Sequence, residues 1–185
     1  MQTKTEATVE DLYNAPDDGM YELVDGRLVY MPPTGDEPNH VAAEVFASLR
    51  EYVRKTRKGR ARTDGVAYIV DLPNRKSFSP DASYSLQYRP HSMRFVEGAP
   101  LFAVEVRSES DYGPAKDRAY ARKRGDYFAA GTRIVWDIDP LAQTVTAYRH
   151  DTPDEPLVYR RGEIANAEPF IPGWSLALED IFNDD

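Results

Sequence analysis

The sequence predicts an α/β (α+β) fold in which one mixed β-sheet is flanked by helices. Three observations carry that expectation. Short apolar runs at 101–106 and 134–138 stand on either side of a helical stretch at 114–130, the order of a parallel crossover. A hairpin signal and several alternating segments add antiparallel strands. A long amphipathic stretch at 40–58 carries one apolar stripe, as a helix resting on a sheet must. The 185 residues fit a single domain, with its core from about 8 to 182, long enough to bury a real interior.

Each element follows from local chemistry. Thr8 is an N-cap with Glu10 and Asp11 in the first turn, and Pro16 leaves room for only a short helix. Asp25-Gly26 between alternating apolar residues marks a hairpin over 21–31. Asn39 is placed to cap a helix from His40 to about Lys58, in which Val41, Val45, Leu49 and Val53 recur at every fourth position. Gly59 is expected to stop it. Residues 67–70 read as a strand, 72–77 as a polar connection, 82–86 as a strand entered through Pro80-Asp81, and 88–98 as a loop. After the turn Gly98-Ala99-Pro100, the run to Val106 is apolar except for Glu105, the pattern of a strand buried on both faces. Alternation sets Ala103, Glu105 and Arg107 on one face. Pro114 suits the first turn of the next helix, Gly125 weakens its middle, and Gly131 ends it. Strands follow at 134–138, 144–148 and 157–159, then a turn and a short helix within 171–182.

Composition narrows the function classes. Apolar residues make up 41% and charged residues 29%, as in ordinary soluble proteins. No apolar run reaches membrane-spanning length, and the first ten residues lack a signal-type apolar segment. The expectation is a cytoplasmic protein with no membrane partner. Without cysteine there is neither a disulfide framework nor a thiolate zinc site. The net charge of −8 argues against unspecific coating of nucleic acid. Basic residues nevertheless cluster at 50–62 and 116–124. Solvated helix faces are the ordinary explanation, but two such clusters around an acidic centre also suit a phosphodiester.

That acidic centre would be Glu22, Asp81 and Glu105, three carboxylates on three strand-like segments. A carboxylate inside an apolar strand is costly unless it is paired or holds a metal. Magnesium takes oxygen ligands, and such an ion can polarise a phosphate and activate water. Taken singly, Glu22 reads as a surface strand residue and Asp81 as a turn residue. Glu105, with apolar neighbours on both sides, does not reduce so easily. A lysine is the other part needed. Lys116 and Lys123 lie seven residues apart on one helix face, joined there by Tyr127. Both lysines also fit an ordinary solvent-facing reading. Arg107 shares the face of Glu105 but stays charged and cannot act as a base. His40 either contacts a phosphate or interacts at the helix start. Neither a Walker loop nor a G-x-S-x-G elbow is present.

These residues, taken together, resemble a known family. Tyr21-Glu22-Leu23-Val24-Asp25-Gly26, Pro80-Asp81, Val104-Glu105-Val106-Arg107-Ser108, Lys123-x-x-x-Tyr127-x-x-Ala130-Gly131 and Trp136-x-x-Asp139-Pro140 stand in the order and spacing of the Uma2 family. Those are restriction-endonuclease-like proteins of the PD-(D/E)XK nuclease superfamily. The resemblance runs from about Thr8 to Phe182. It implies a restriction-endonuclease-like core and magnesium-dependent cleavage of DNA. Under it, Asp81 and Glu105 match the paired metal-holding acids, and Glu22 matches the acid of the first motif, a further ligand or water-positioning group. Lys123 matches a helix lysine that takes the place of the usual strand lysine, where this chain has Arg107.

The resulting expectation is a Mg2+- (or Mn2+-) dependent endodeoxyribonuclease. Asp81, Glu105 and Glu22 hold the metal. Lys123, or alternatively Lys116, assists at the phosphate, and Arg107, Lys116 and His40 contact substrate. A homodimer is expected, because cutting both strands of a duplex takes two sites. The alternatives are an inactive DNA-binding module of the same fold, and an interaction or assembly protein whose acids sit in structural ion pairs.

Overall fold

A computed structural model describes residues 6–86 and 92–183. Its elements, in chain order, are α1 (Val9–Tyr13), β1 (Met20–Val24), β2 (Arg27–Met31), α2 (Asp36–Thr56), β3 (Arg60–Thr63), β4 (Tyr68–Ile69), β5 (Ser77–Phe78), β6 (Ala82–Ser85), β7 (Val96–Glu97), β8 (Phe102–Val106), α3 (Pro114–Ala130), β9 (Ile134–Asp139), β10 (Thr144–Arg149), β11 (Thr152–Arg160), β12 (Ile164–Asn166), β13 (Ser175–Ala177) and α4 (Leu178–Ile181). A six-stranded mixed sheet runs in the order β11-β10-β9-β8-β6-β3. Strands β8 and β9 are parallel and joined through α3, as the apolar–helix–apolar order predicts, and the other pairs are antiparallel. Two-stranded sheets form from β1-β2 and β12-β13, and a three-stranded one from β5-β4-β7.

Local chemistry accounts for most boundaries. Thr8 and Asp11 form a reciprocal capping box at α1. Asp25 and Gly26 both take positive φ, at 48° and 66°, the pair of left-handed residues a tight hairpin turn needs. Helix α2 starts four residues before the expected His40 start, with Gly35 rather than Asn39 at its N-cap. Pro38 causes the shift: its missing N–H costs nothing in a first turn, and Asp36 and Glu37 favour the positive end of the helix dipole. The helix also stops earlier than expected, at Thr56, where Arg57 turns left-handed. Gly59 then lets the chain turn (φ 68°) beneath the ring of Tyr84, which leaves no room for a Cβ. Strand β3 lies inside the basic cluster of residues 50–62, where no strand is expected, and runs one residue past it. Strands β5, β7, β12 and β13 also fall where the sequence predicts none, and each has only two or three residues. Strand β11 is longer than the expected 157–159. Part of the expected 88–98 loop, 87–91, lies outside the described residues.

The two faces of the sheet pack differently. Phe102, Val104 and Val106 of β8 join α2, α4 and the C-terminal segment in the larger apolar core. Within it Phe102 lies 5.1 Å from Trp136 and 5.5 Å from Trp174, ring centre to ring centre. Ala103 points the other way, to a smaller cluster with Tyr68, Phe78 and Tyr127 under α3. Helix α3 is unusual in that its buried residues are Asp126 and Tyr127, so it offers the sheet a polar face. No helix among the described residues is long and apolar enough to cross a membrane. Phe102→Ala is expected to cost about 3–5 kcal/mol by removing a ring packed against both tryptophans. Urea unfolding followed by tryptophan fluorescence checks this, and an unchanged midpoint would contradict it.

Candidate active site

The polar face of α3 meets an acidic row on the sheet. In the register of β6 with β8, Ala82 pairs with Val104, so the ladder carried one residue further sets Asp81 opposite Glu105. The Asp81 N–H donates to the Val104 carbonyl at 3.0 Å, and the Val106 N–H donates to Asp81 Oδ2 at 2.6 Å. On the far side, Glu105 pairs with Asp137 of β9. Three carboxylates therefore stand side by side across β6, β8 and β9.

Each is compensated differently. Arg107 takes Asp137 with two bonds, Nε to Oδ1 at 3.0 Å and Nη2 to Oδ2 at 2.9 Å, and reaches Asp117 of α3 at 2.7 Å. Lys123 comes down from α3 to Glu105, with Nζ 2.8 Å from Oε2, and Tyr127 donates its hydroxyl to Oε1 at 2.6 Å. Lys123 also lies 3.0 Å from Glu22 Oε1. Glu22 accepts further from the Ser79 N–H at 2.9 Å and from Arg75 Nη1 at 2.5 Å. Arg75 in turn binds Asp126 of α3 through Nε at 2.9 Å, and Asn74 caps the other Asp126 oxygen. Beneath this chain of bonds, Phe78 stacks on Tyr127 at 4.0 Å, and Arg75 lies over Phe78. Lys123, Asp126 and Tyr127 reach the same network because positions i, i+3 and i+4 share a helix face.

Electrostatics follow from that geometry. Burial pushes the Asp81 carboxyl up, the Glu105 charge adds to it, and its pKa rises to about 7 despite the Val106 N–H. Burial also raises Glu105, with Lys123 pulling the other way and Glu22 adding to the rise. Burial works against the ionised form of Glu22, but Lys123, Arg75 and the Ser79 N–H outweigh it and hold its pKa low. Lys123 is desolvated too, yet Glu105 and Glu22 keep it firmly protonated. Tyr120 of α3 is half-buried; its desolvation raises its pKa, and the nearby Glu105, Asp111, Asp81 and Asp137 raise it further.

The expected site residues separate accordingly. Asp81, Glu105, Lys123 and Glu22 converge. Lys116 does not join them: it pairs with Asp111 at 3.1 Å, with its side chain about half exposed. Arg107 is engaged by Asp137 and Asp117. His40 turns away from the carboxylates and lines a depression with Leu176 and Asp180. Sequence reasoning missed Arg75, which it left in a polar connection, and Asp126. Arg75 is brought in by backbone pairing: Val24 bridges to it, and the neighbouring Lys76 N–H bonds Leu23 O. Nothing local in the sequence signals that pairing. Asp126 could have been found from its three-residue spacing to Lys123.

The donor set fits a divalent cation as a pair of carboxylates. Among the described residues no group of three or more His, Cys, Asp or Glu side chains is placed to hold a metal ion. Glu22 is drawn off by two cations. Asp81 and Glu105 remain, and magnesium is commonly held by one or two carboxylates while it keeps several waters. Charge agrees: among the described residues, the four carboxylates Asp81, Glu105, Glu22 and Asp126 stand beside the two cations Lys123 and Arg75.

A mixed sheet with a parallel β–α–β crossover and paired acids on adjacent central strands defines a restriction-endonuclease-like protein. The Uma2 family model, described as "Putative restriction endonuclease", matches residues 7–179, and the chain belongs to that family. A solved structure, described as "a putative nuclease belonging to DUF820" from Anabaena variabilis, is similar to it with 22% identity and a TM-score of 0.73. The match covers 95% of this chain and 97% of that one, and it shows the shared fold. No curated protein matches.

Two predictions arise from the buried charges. Arg75→Ala leaves Glu22 and Asp126 without their shared partner and is expected to cost about 3–5 kcal/mol of stability, measured by chemical denaturation. A loss under about 1 kcal/mol would show the pairs to be dispensable. The second concerns Asp81, whose folded pKa lies above the unfolded value. Its charge therefore destabilises the fold above about pH 7 and costs nothing once pH falls below about 4. Asp81→Asn should raise the unfolding free energy at pH 8 without divalent metal by up to a few kcal/mol. That gain should shrink towards pH 4; a gain independent of pH would contradict it.

Proposed function

We propose that this protein is a metal-dependent endonuclease that hydrolyses a DNA phosphodiester at the Asp81–Glu105 pair. The observation that carries the reading is the convergence of these two acids, from separate strands, beside the Lys123 ammonium. Magnesium or manganese, held by Asp81 and Glu105, would polarise the phosphate and ease deprotonation of a water. Lys123 stays charged and supplies positive potential where negative charge builds on the phosphate oxygens. Glu22 holds the Lys123 ammonium at 3.0 Å, so its part is positioning. Tyr127 orients Glu105 through its second oxygen, leaving the carboxylate little freedom to turn. A homodimer would bring two such centres to the two strands of a duplex.

One observation favours a second reading. Both oxygens of Glu105 already accept bonds from Lys123 and Tyr127, as they would in a purely structural ion-pair network serving an interaction protein. Supercoiled plasmid incubated with magnesium decides between them. The wild type should nick it. Asp81→Asn and Glu105→Gln should each lose at least about a hundredfold in rate while still unfolding cooperatively, and Lys123→Met should lose a similar factor. Linear product forming with second-order dependence on protein concentration supports the dimer. Nicking that persists unchanged in the Asp81 and Glu105 variants, or no magnesium binding by calorimetry, refutes the nuclease reading.

A further inference from the structure

The open edge of the six-stranded sheet carries a second feature, apart from the Lys123 network. Strand β3 forms that edge. Between it, α2 and the residues around β7 lies a cleft of about 590 Å³. Arg60 and Arg62 of β3 and Arg94 line it, with Glu97 as its one acidic wall residue among those described. Phe46 of α2 and Phe95 provide aromatic surface. In a chain of net charge −8, three guanidiniums on one concave wall are a local reversal of sign.

Two of these arginines are presented by aromatic neighbours. Arg62 lies 5.6 Å from the Tyr68 ring centre and donates to its hydroxyl at 3.2 Å. Arg94 lies over Tyr13 at 4.4 Å, and Tyr13 is itself stacked on Phe95 at 4.0 Å. A guanidinium resting on a ring is oriented while keeping its full charge for an anion. Arg50 lies over the Phe46 ring at 6.0 Å.

The cleft leads to the acids. Thr63, at the end of β3, lines both the cleft and a small niche of about 40 Å³ that contains Asp64 and Asp81. In the β3–β6 ladder Thr63 pairs with Ala82, the residue after Asp81. From Arg60 to Thr63 the strand rises roughly 10 Å, about two to three nucleotides of a stacked strand. The shape suits one strand better than two. Duplex readout needs a helix or ribbon that projects into a groove, whereas this is a concavity of the size that encloses a ligand.

We propose that this cleft holds an unpaired stretch of DNA beside the scissile phosphate, with Arg60, Arg62 and Arg94 on its phosphates and Phe46 and Phe95 against its bases. The placement next to the cut rests on the nuclease reading, while the binding does not. The test is fluorescence anisotropy of the full chain with a labelled mixed-sequence 12-mer in EDTA. The wild type should bind the single strand at least tenfold tighter than the same sequence as duplex. The double substitution Arg60→Glu/Arg94→Glu should weaken binding more than tenfold and flatten the salt dependence by about 1.4 in log–log slope, with Arg60→Lys/Arg94→Lys recovering most of it. A double variant that binds like wild type, a wild type that prefers duplex, or no binding at all overturns the proposal. A wild type that never nicks plasmid, yet binds the single strand and loses it in the Glu variant, refutes the nuclease reading and leaves the cleft assignment standing.

Discussion

The ammonium of Lys123, shared between Glu22 and Glu105, is the interaction on which the arrangement rests. It joins three units that are far apart in the chain: the β1 strand, the central β8 strand and helix α3. Removing a group like this from water costs several kcal/mol, which is recovered only when every partner is in place. The surrounding structure meets that demand. Arg75 shares Glu22, Asp126 shares Arg75, and Tyr127 completes Glu105. Such a network adds little net stability over an apolar equivalent, but it specifies where each carboxylate stands.

The sheet divides the labour. On one face, β8 contributes Phe102, Val104 and Val106 to a core containing both tryptophans, and apolar burial there drives folding. The other face is where polarity is tolerated, because α3 brings counter-charges with it. The acidic row of Asp81, Glu105 and Asp137 lies across three adjacent strands, and only two of its members have a guanidinium or ammonium of their own. Asp81 is left half-buried with a backbone N–H as its donor. A protein selected for stability alone would have removed that charge, and its retention is the kind of local cost expected at a functional site.

Much of this was legible beforehand. Glu105 announced itself by interrupting an apolar strand, Tyr127 by its four-residue spacing from Lys123, and the Asp25-Gly26 hairpin by its turn chemistry. The choice between Lys123 and Lys116 was not legible. Both lie on one helix face, and only the depth at which α3 meets β8 separates the lysine that reaches Glu105 from the one that pairs with Asp111. Arg107 was equally ambiguous. Its face was predicted, but its partner, Asp137, depends on the parallel register of β8 and β9.

The sequence by itself determined the periodic features: which segments alternate, where helices cap and stop, and which acids sit among apolar neighbours. These are properties of a few consecutive residues, set by backbone sterics and burial. Tertiary structure alone decided which charges meet. Arg75 reaches Glu22 because a short connection bridges to Val24, and β3 becomes a strand because β6 offers it an edge. Arg75 and Glu22 stand 53 residues apart in the chain, and no local preference encodes a distance in space.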